Sequence, residues 1–283
     1  MGVINITPDS FSDGGRYLRP DRALAMASRQ LTMGADIIDL GAQSTRPGAV
    51  EVGATEELRR LLPVLQAFRE LNHTTLLSVD TFLADVAAKA LIAGADWIND
   101  ISGGRHDPAM LSLAAEASCP IVLTHSRGKS HNMDTLAVYS DIVGDVREEL
   151  LHCTEAALQA GVSTSNIIWD PGLGFAKTTE HNLELLRSIN LLQEEGFPLL
   201  LGPSRKRFIG AVLKQSRPRA RIWGTAAICT AAVLAGVEVV RVHDVGPIVQ
   251  TVQMAEVLKH EALINCKKGS FQAATPSIRS STS

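Results

Sequence analysis

No apolar run in the 283 residues approaches the roughly 18 residues of a membrane span. The N-terminus has no basic segment leading into an apolar one, so no secretory leader is expected. An excess of either charge is also missing. The 27 Lys and Arg and 30 Asp and Glu are mixed along the chain and leave a net −3. That excludes the basic stripe of a nucleic-acid binder and the basic cluster of a membrane-surface protein. Cysteine is sparse: Cys119, Cys153, Cys229 and Cys266 lie far apart and match no zinc or C-x-x-C spacing. They are expected as buried free thiols in a reducing, cytoplasmic compartment.

What is present is 45% hydrophobic and 20% charged, as in one soluble domain. Short runs rich in Val, Ile and Leu alternate with longer amphipathic stretches. Strands are expected at Gly2–Ile6, Asp36–Leu40, Thr75–Asp80, Trp97–Asp100, Pro120–His125, Ile167–Asp170, Pro198–Leu201 and Glu238–His243. They show no evident polar alternation, as in parallel strands covered on both faces. Thr55–Leu71 is the clearest helix, with Leu58, Leu61, Leu62, Leu65 and Phe68 on one face, Glu56 and Glu57 in the first turn, and a Thr cap. Gly34, Gly94 and Gly236 stand just before strands, where glycine ends a helix. Eight strands, each followed by a helix, predict an α/β fold of the (β/α)8 TIM-barrel type over residues 1–265. An open doubly wound sheet is the alternative. The Ser/Thr-rich stretch 266–283 is expected to be a disordered tail.

The strands end in polar residues: Asn5, Asp39, Asp80, Asn99 with Asp100, His125, Asp170, Ser204, and Arg241 with His243. One stray carboxylate is commonly a satisfied structural group. Polar ends on every strand point to a site at the C-terminal mouth, where barrel enzymes place theirs. Arg241 and His243 are two apart, so both side chains leave a strand on the same face. The loops Thr7–Gly15 and Ser44–Gly48 have the composition and length of covers over such a site. Gly172–Thr178, GLGFAKT, has a phosphate-loop look, but Ala176 stands where the second Gly belongs, which excludes a nucleotide hydrolase.

MGVINITPDSFSDGG (Met1–Gly15), STRPG (Ser44–Gly48), SVDT (Ser78–Thr81), INDI (Ile98–Ile101), DPGLGFAK (Asp170–Lys177), SRK (Ser204–Lys206) and RVHDV (Arg241–Val245) together resemble the dihydropteroate synthase family. The resemblance implies condensation of 6-hydroxymethyl-7,8-dihydropterin pyrophosphate with p-aminobenzoate in folate biosynthesis. It places the pterin on Asp80, Asn99, Asp170 and Lys206. It places the pyrophosphate on Asn5, Thr45, Arg241 and His243, with Mg²⁺ bound through Asn5. It gives p-aminobenzoate Thr45, Arg46, Pro47, Phe175 and Ser204, with Phe11 as a cover. Asp80, Lys206, Arg241 and His243 would carry the catalysis. It further implies a sulfonamide target, a homodimer formed through the later helices, and either residues upstream of Met1 or a barrel with an exposed lower end.

Two departures from the family pattern stand out. Gln43 replaces a glutamate in Gly41–Arg46, which removes a carboxylate near the second loop. Thr124 and Ser126 flank His125 where the family carries methionines, which exchanges soft apolar surface for small polar groups. The competing readings are a pterin-dependent methyltransferase and a catalytically silent pterin-binding barrel. Neither needs pyrophosphate release, and hence neither needs Arg241-Val-His243.

Overall fold

The structure is a computed structural model and describes residues 1–7, 20–43 and 51–268, with side chains as far as residue 259. Its strands are β1 (Gly2–Asn5), β2 (Ile37–Gly41), β3 (Leu76–Asp80), β4 (Trp97–Asp100), β5 (Ile121–Thr124), β6 (Ile167–Asp170), β7 (Leu200–Leu201) and β8 (Val239–Val240). Its helices are α1 (Pro20–Thr32), α2 (Ala54–Leu71), α3 (Ala84–Ile92), α4 (Met110–Ala117), α5 (Ile142–Gln159), α6 (Thr179–Arg187), α7 (Ile189–Gln193), α8 (Arg207–Leu213), α9 (Ile222–Ala235) and α10 (Val245–Lys268).

β1 to β6 pair in sequence order, all parallel, and β7 pairs with β8. A bridge between Trp169 and Leu199 joins β6 to β7, and one between Gly2 and Val242 joins β8 to β1. Val3 N–H donates to Val242 O, and Val242 N–H to Met1 O, each at 2.9 Å. The ring therefore closes into the expected barrel, and the open sheet is excluded. β7 and β8 are shorter than predicted: Pro198 has no N–H to give a ladder, and beyond Val240 the chain divides its hydrogen bonds between Leu201 and Met1.

The strands do alternate, contrary to the sequence reading. Ile4, Ile38, Leu40, Leu77, Val79, Ile98, Ile121, Leu123 and Trp169 pack into one buried cluster with the helices. Between them stand Asp39, Ser78, Asp80, Asn99 and Asp170, on the opposite face of each strand. The alternation is hidden in so short a run because Val122, Ile168 and Leu200 fill the interior below the mouth with a small apolar cluster of their own.

The helices hold this ring from outside. α2 buries Leu61, Val64, Leu65 and Phe68, each such side chain contributing roughly 1.5–3 kcal/mol. Its cap is Gly53, not Thr55: the helix begins one residue earlier, and Thr55 lies in its first turn. Gly34, Gly94 and Gly236 all take positive φ, between 94° and 107°, ending helices as predicted. α10 runs to Lys268, three residues into the stretch expected as tail, since extending a formed helix requires little beyond one hydrogen bond per residue. Residues 269–283 lie outside the described residues. Cys119, Cys153 and Cys229 are buried free thiols.

Candidate active site

The parallel register aligns the ends of the strands. Asn5 lies beside Gly41, Gly41 beside Asp80, and Asp80 beside Asn99. Four polar or open positions from four strands thus share one level at the C-terminal mouth. A cavity of about 380 Å³ opens there, and Asn5, Asp80, Phe175, Ser204, Lys206, Arg241 and His243 are among its lining residues. Seven residues predicted from the sequence are therefore brought together.

Arg241 is the electrostatic centre. Its Nη2 lies 2.5 Å from Asp80 Oδ2, and its Nε 2.6 Å from Asp39 Oδ2. Asp39 is fully buried, and Asn99 offers its amide to the same carboxylate at 3.4 Å. Burial, with the Asp39, Glu57 and Asp100 carboxylates nearby, pushes the Asp80 carboxyl up, and Arg241 opposes that rise. The two carboxylates hold the guanidinium well above its ordinary range despite its enclosure. Only Nε and Nη2 are committed to carboxylates among the described residues, which leaves Nη1 for an incoming anion.

Asp170 and Asn99 are buried, 7% and 2% exposed, and neither lines the cavity. Asp170 accepts from Gly172 N–H at 2.8 Å, and burial raises its carboxyl against the pull of Lys206 and Arg241. Lys206 keeps one face open to the cavity, while the enclosure of the rest draws its ammonium down to about 8. Its Nζ stands 4.2 Å from the centre of the Phe175 ring, within cation–π range. His243 Nδ1 lies 2.9 Å from Ser204 Oγ, and burial beside Arg205 and Arg241 lowers the imidazole to about 3, so the ring is neutral. Ser204 and Lys206 are aimed together because Arg205 between them takes a left-handed φ of 60° and is held bidentately by Asp244.

Thr45, Arg46, Pro47 and Phe11 lie outside the described residues. The base of the second loop is described: Val52 N–H donates to Gln43 Oε1 at 3.0 Å. The amide that replaces the family's carboxylate thus pins the two ends of the loop together.

Sequence reasoning missed Met133 and Arg207. Both line the cavity, and Arg207 makes a bidentate ion pair with Asp134, which lies beside Met133 in a 3-10 turn (Met133–Leu136) after β5. Met133 brings apolar surface to a mouth whose β5 end has lost it at Thr124 and Ser126. No signal in the sequence marked Met133; Arg207 could have been suspected from its place next to Lys206. A larger and shallower cleft of about 650 Å³ borders Arg105, Arg127 and Lys129. Its cations are already paired, the arginines with Glu149 and Lys129 with Glu51, and none of the predicted site residues lines it.

The comparisons agree with this geometry. The family described as pterin binding enzymes matches residues 1–243. The dihydropteroate synthase of Synechocystis sp. is 47% identical over 258 residues, spanning 91% of this chain and 89% of that protein. The solved structure of Xanthomonas albilineans dihydropteroate synthase with 4-aminobenzoic acid superposes with a TM-score of 0.86 at 38% identity, covering 91% of this chain and 92% of that one. Yersinia pestis dihydropteroate synthase with a sulfonamide drug gives 0.86 at 39% identity, covering 92% and 93%. The chain belongs to the pterin binding enzyme family, among its dihydropteroate synthases.

Proposed function

We propose that the mouth of this barrel joins 6-hydroxymethyl-7,8-dihydropterin pyrophosphate to p-aminobenzoate, releasing pyrophosphate, with the division of labour that the family resemblance implied. The observation that carries it is the convergence of Asp80, Lys206, Arg241 and His243 around one cavity, with the buried Asp170 carboxylate near enough to act on Lys206. A pterin presents a polar amide edge. Asp80, Asn99 and Asp170 match its donors and acceptors, and Lys206 reaches its ring oxygen and nitrogen. Arg241 and the neutral His243 take the pyrophosphate, whose arrival favours a protonated imidazole.

Pyrophosphate leaves well only when its charge is met by fixed donors. Arg241 supplies part of that charge and is already held in place by Asp39. As the bond to the pterin methylene breaks, positive charge spreads into the ring, and the Asp80 carboxylate stabilises it electrostatically. The weakly basic aniline nitrogen then attacks, held beside Phe175 and Ser204, with Thr45, Arg46 and Pro47 closing that side. Attack of this kind depends on positioning rather than on a strong general base.

Among the described residues no group of three His, Cys, Asp or Glu side chains is placed to hold a metal. Mg²⁺ keeps few protein ligands beside phosphate oxygens, and the Asn5 amide at the rim of the cavity suits it as a partner arriving with the pyrophosphate. Bound there, Mg²⁺ would neutralise phosphate charge.

The chain works as a homodimer in the cytosol. Val212, Trp223, Leu234, Met254 and Val257 on α8, α9 and α10 are all exposed, Trp223 to 77%, which supports pairing through the later helices. No helix among the described residues is long and apolar enough to cross a membrane, and the three free thiols suit a reducing compartment. Calorimetric titration of the pterin pyrophosphate into wild type, Asp170→Asn and Lys206→Met tests the pterin placement. Loss of binding in both variants is expected; unchanged binding in either would overturn it.

A further inference from the structure

Beside the ends of β5 and β6 the barrel encloses a lysine that no step above uses, its ammonium drawn down to about 7 by burial. Lys177 is 7% exposed. Its Nζ lies 2.8 Å from His125 Nδ1 and 3.1 Å from each of the Gly172 and Phe175 carbonyl oxygens. An ammonium has three donors and no acceptor, so three acceptors saturate it. His125 then accepts at Nδ1 and carries its proton on Nε2, which stands 3.1 Å from Glu149 Oε2. Glu149 is held in turn by Arg127, at 2.9 Å from Nε and 2.5 Å from Nη2.

The turn gripped by this ammonium does not follow from local preference. Gly172, Gly174 and Ala176 take positive φ of 68°, 79° and 48°. A side chain on Gly172 would place Cβ 1.8 Å from His125 O, so the turn rests directly on the end of β5. Ala176 is fully buried and is not glycine, so its Cβ disfavours the left-handed conformation it takes. Such a residue persists where its surroundings over-determine it. Lys177 bonds the carbonyls that open and close the Gly172–Phe175 reverse turn, and Asn182 Oδ1 accepts from Gly174 N–H at 2.7 Å. What the clamp presents to the cavity is the Phe175 ring, with Lys206 against its face.

We propose that Lys177 is a positioning residue for the arylamine substrate: its ammonium ties the Gly172 and Phe175 carbonyls to His125 and so fixes the Phe175 ring in the site. The inference rests on the assignment of Phe175 to the p-aminobenzoate side.

The test is steady-state kinetics of full-length Lys177→Met, Phe175→Ala and the double variant, with each substrate varied in turn. Lys177→Met raises the KM for p-aminobenzoate at least about tenfold, since small displacements of a positioning group are costly. The KM for the pterin pyrophosphate stays within about twofold. In the Phe175→Ala background the lysine substitution adds nothing to the arylamine KM, because both act through one ring. If Lys177→Met does not fold, Lys177→Gln is measured by the same criteria, since its shorter, uncharged side chain with two N–H donors cannot serve His125 and both carbonyls at once. A joint rise of both KM values, or no rise in either, overturns the inference. If Phe175→Ala itself leaves the arylamine KM unchanged, the assignment of Phe175 falls instead.

Discussion

Arg241 donates from Nε to Oδ2 of Asp39 at 2.6 Å, joining residues 202 positions apart in the chain. The contact spans the barrel from β2 to the end of β8. It serves folding and chemistry at once, since the same guanidinium holds Asp80 through Nη2.

Arg241→Met leaves the fully buried Asp39 without its cation. Breaking a buried pair from one side costs about 3–5 kcal/mol, so thermal unfolding of the variant should shift down markedly. Adding Asp39→Asn removes the stranded charge and should recover part of that loss without recovering turnover. A double variant no more stable than the single one would show that Asp39 is not the partner that matters.

Lys206 titrates near 8 in the free enzyme because burial disfavours its charged form. The group is charged below that value and loses its proton above it. With the pterin as varied substrate, kcat/KM reports the free enzyme and should fall as pH rises through about 8. Lys206→Arg does not titrate there, and its weaker activity should be flat across the same range. A wild-type profile that is flat through this region would remove Lys206 from pterin recognition.

The ring of strands was legible because each is a short apolar run, and Gly34, Gly94 and Gly236 mark where three of the preceding helices end. The site was legible because its residues stand at strand ends, where register alone aligns Asn5, Asp80 and Asn99. Roles for them came from the family resemblance. Contacts formed by loops folding back were not legible. Nothing local to Met133 or Asp134 reveals that Arg207, 73 residues on from Asp134, will hold their turn over the mouth. The clamp at Lys177 was hidden for the opposite reason: its residue was in view inside a recognised motif, but its partner His125 comes from another strand. Thr45, Arg46 and Pro47 stay as the sequence left them, outside the described residues.

Gln43 anchors the second loop by accepting from Val52 N–H. Gln43→Ala removes that acceptor, a loss of roughly 1 kcal/mol at the base of the loop. The KM for p-aminobenzoate should rise several-fold while that for the pterin pyrophosphate holds. Gln43→Glu keeps an oxygen in place and should behave as wild type. Equal defects in the two variants would mean that the amide N–H group, and not the anchoring oxygen, decides.

Glu57 is 1% exposed, and burial pushes its carboxyl up to about 7 against the weaker pull of the Thr81 hydroxyl and Arg60. The folded chain keeps this proton up to about pH 7, whereas the unfolded chain releases it near 4.5. Stability therefore declines as pH rises between those values, by on the order of 3 kcal/mol in total. Glu57→Gln cannot ionise. Its melting temperature should exceed that of wild type above neutral pH, with the gap closing in mild acid. A gap that is constant with pH would rule out this titration.

One mouth is proposed to hold both substrates and to release pyrophosphate between them. This is tested most directly by following pyrophosphate and dihydropteroate together, from 6-hydroxymethyl-7,8-dihydropterin pyrophosphate, with and without p-aminobenzoate and Mg²⁺. Metal-dependent release is expected, with dihydropteroate formed only when the arylamine is present and both products lost in Arg241→Met. Folded wild-type protein that releases no pyrophosphate under any of these conditions would contradict it.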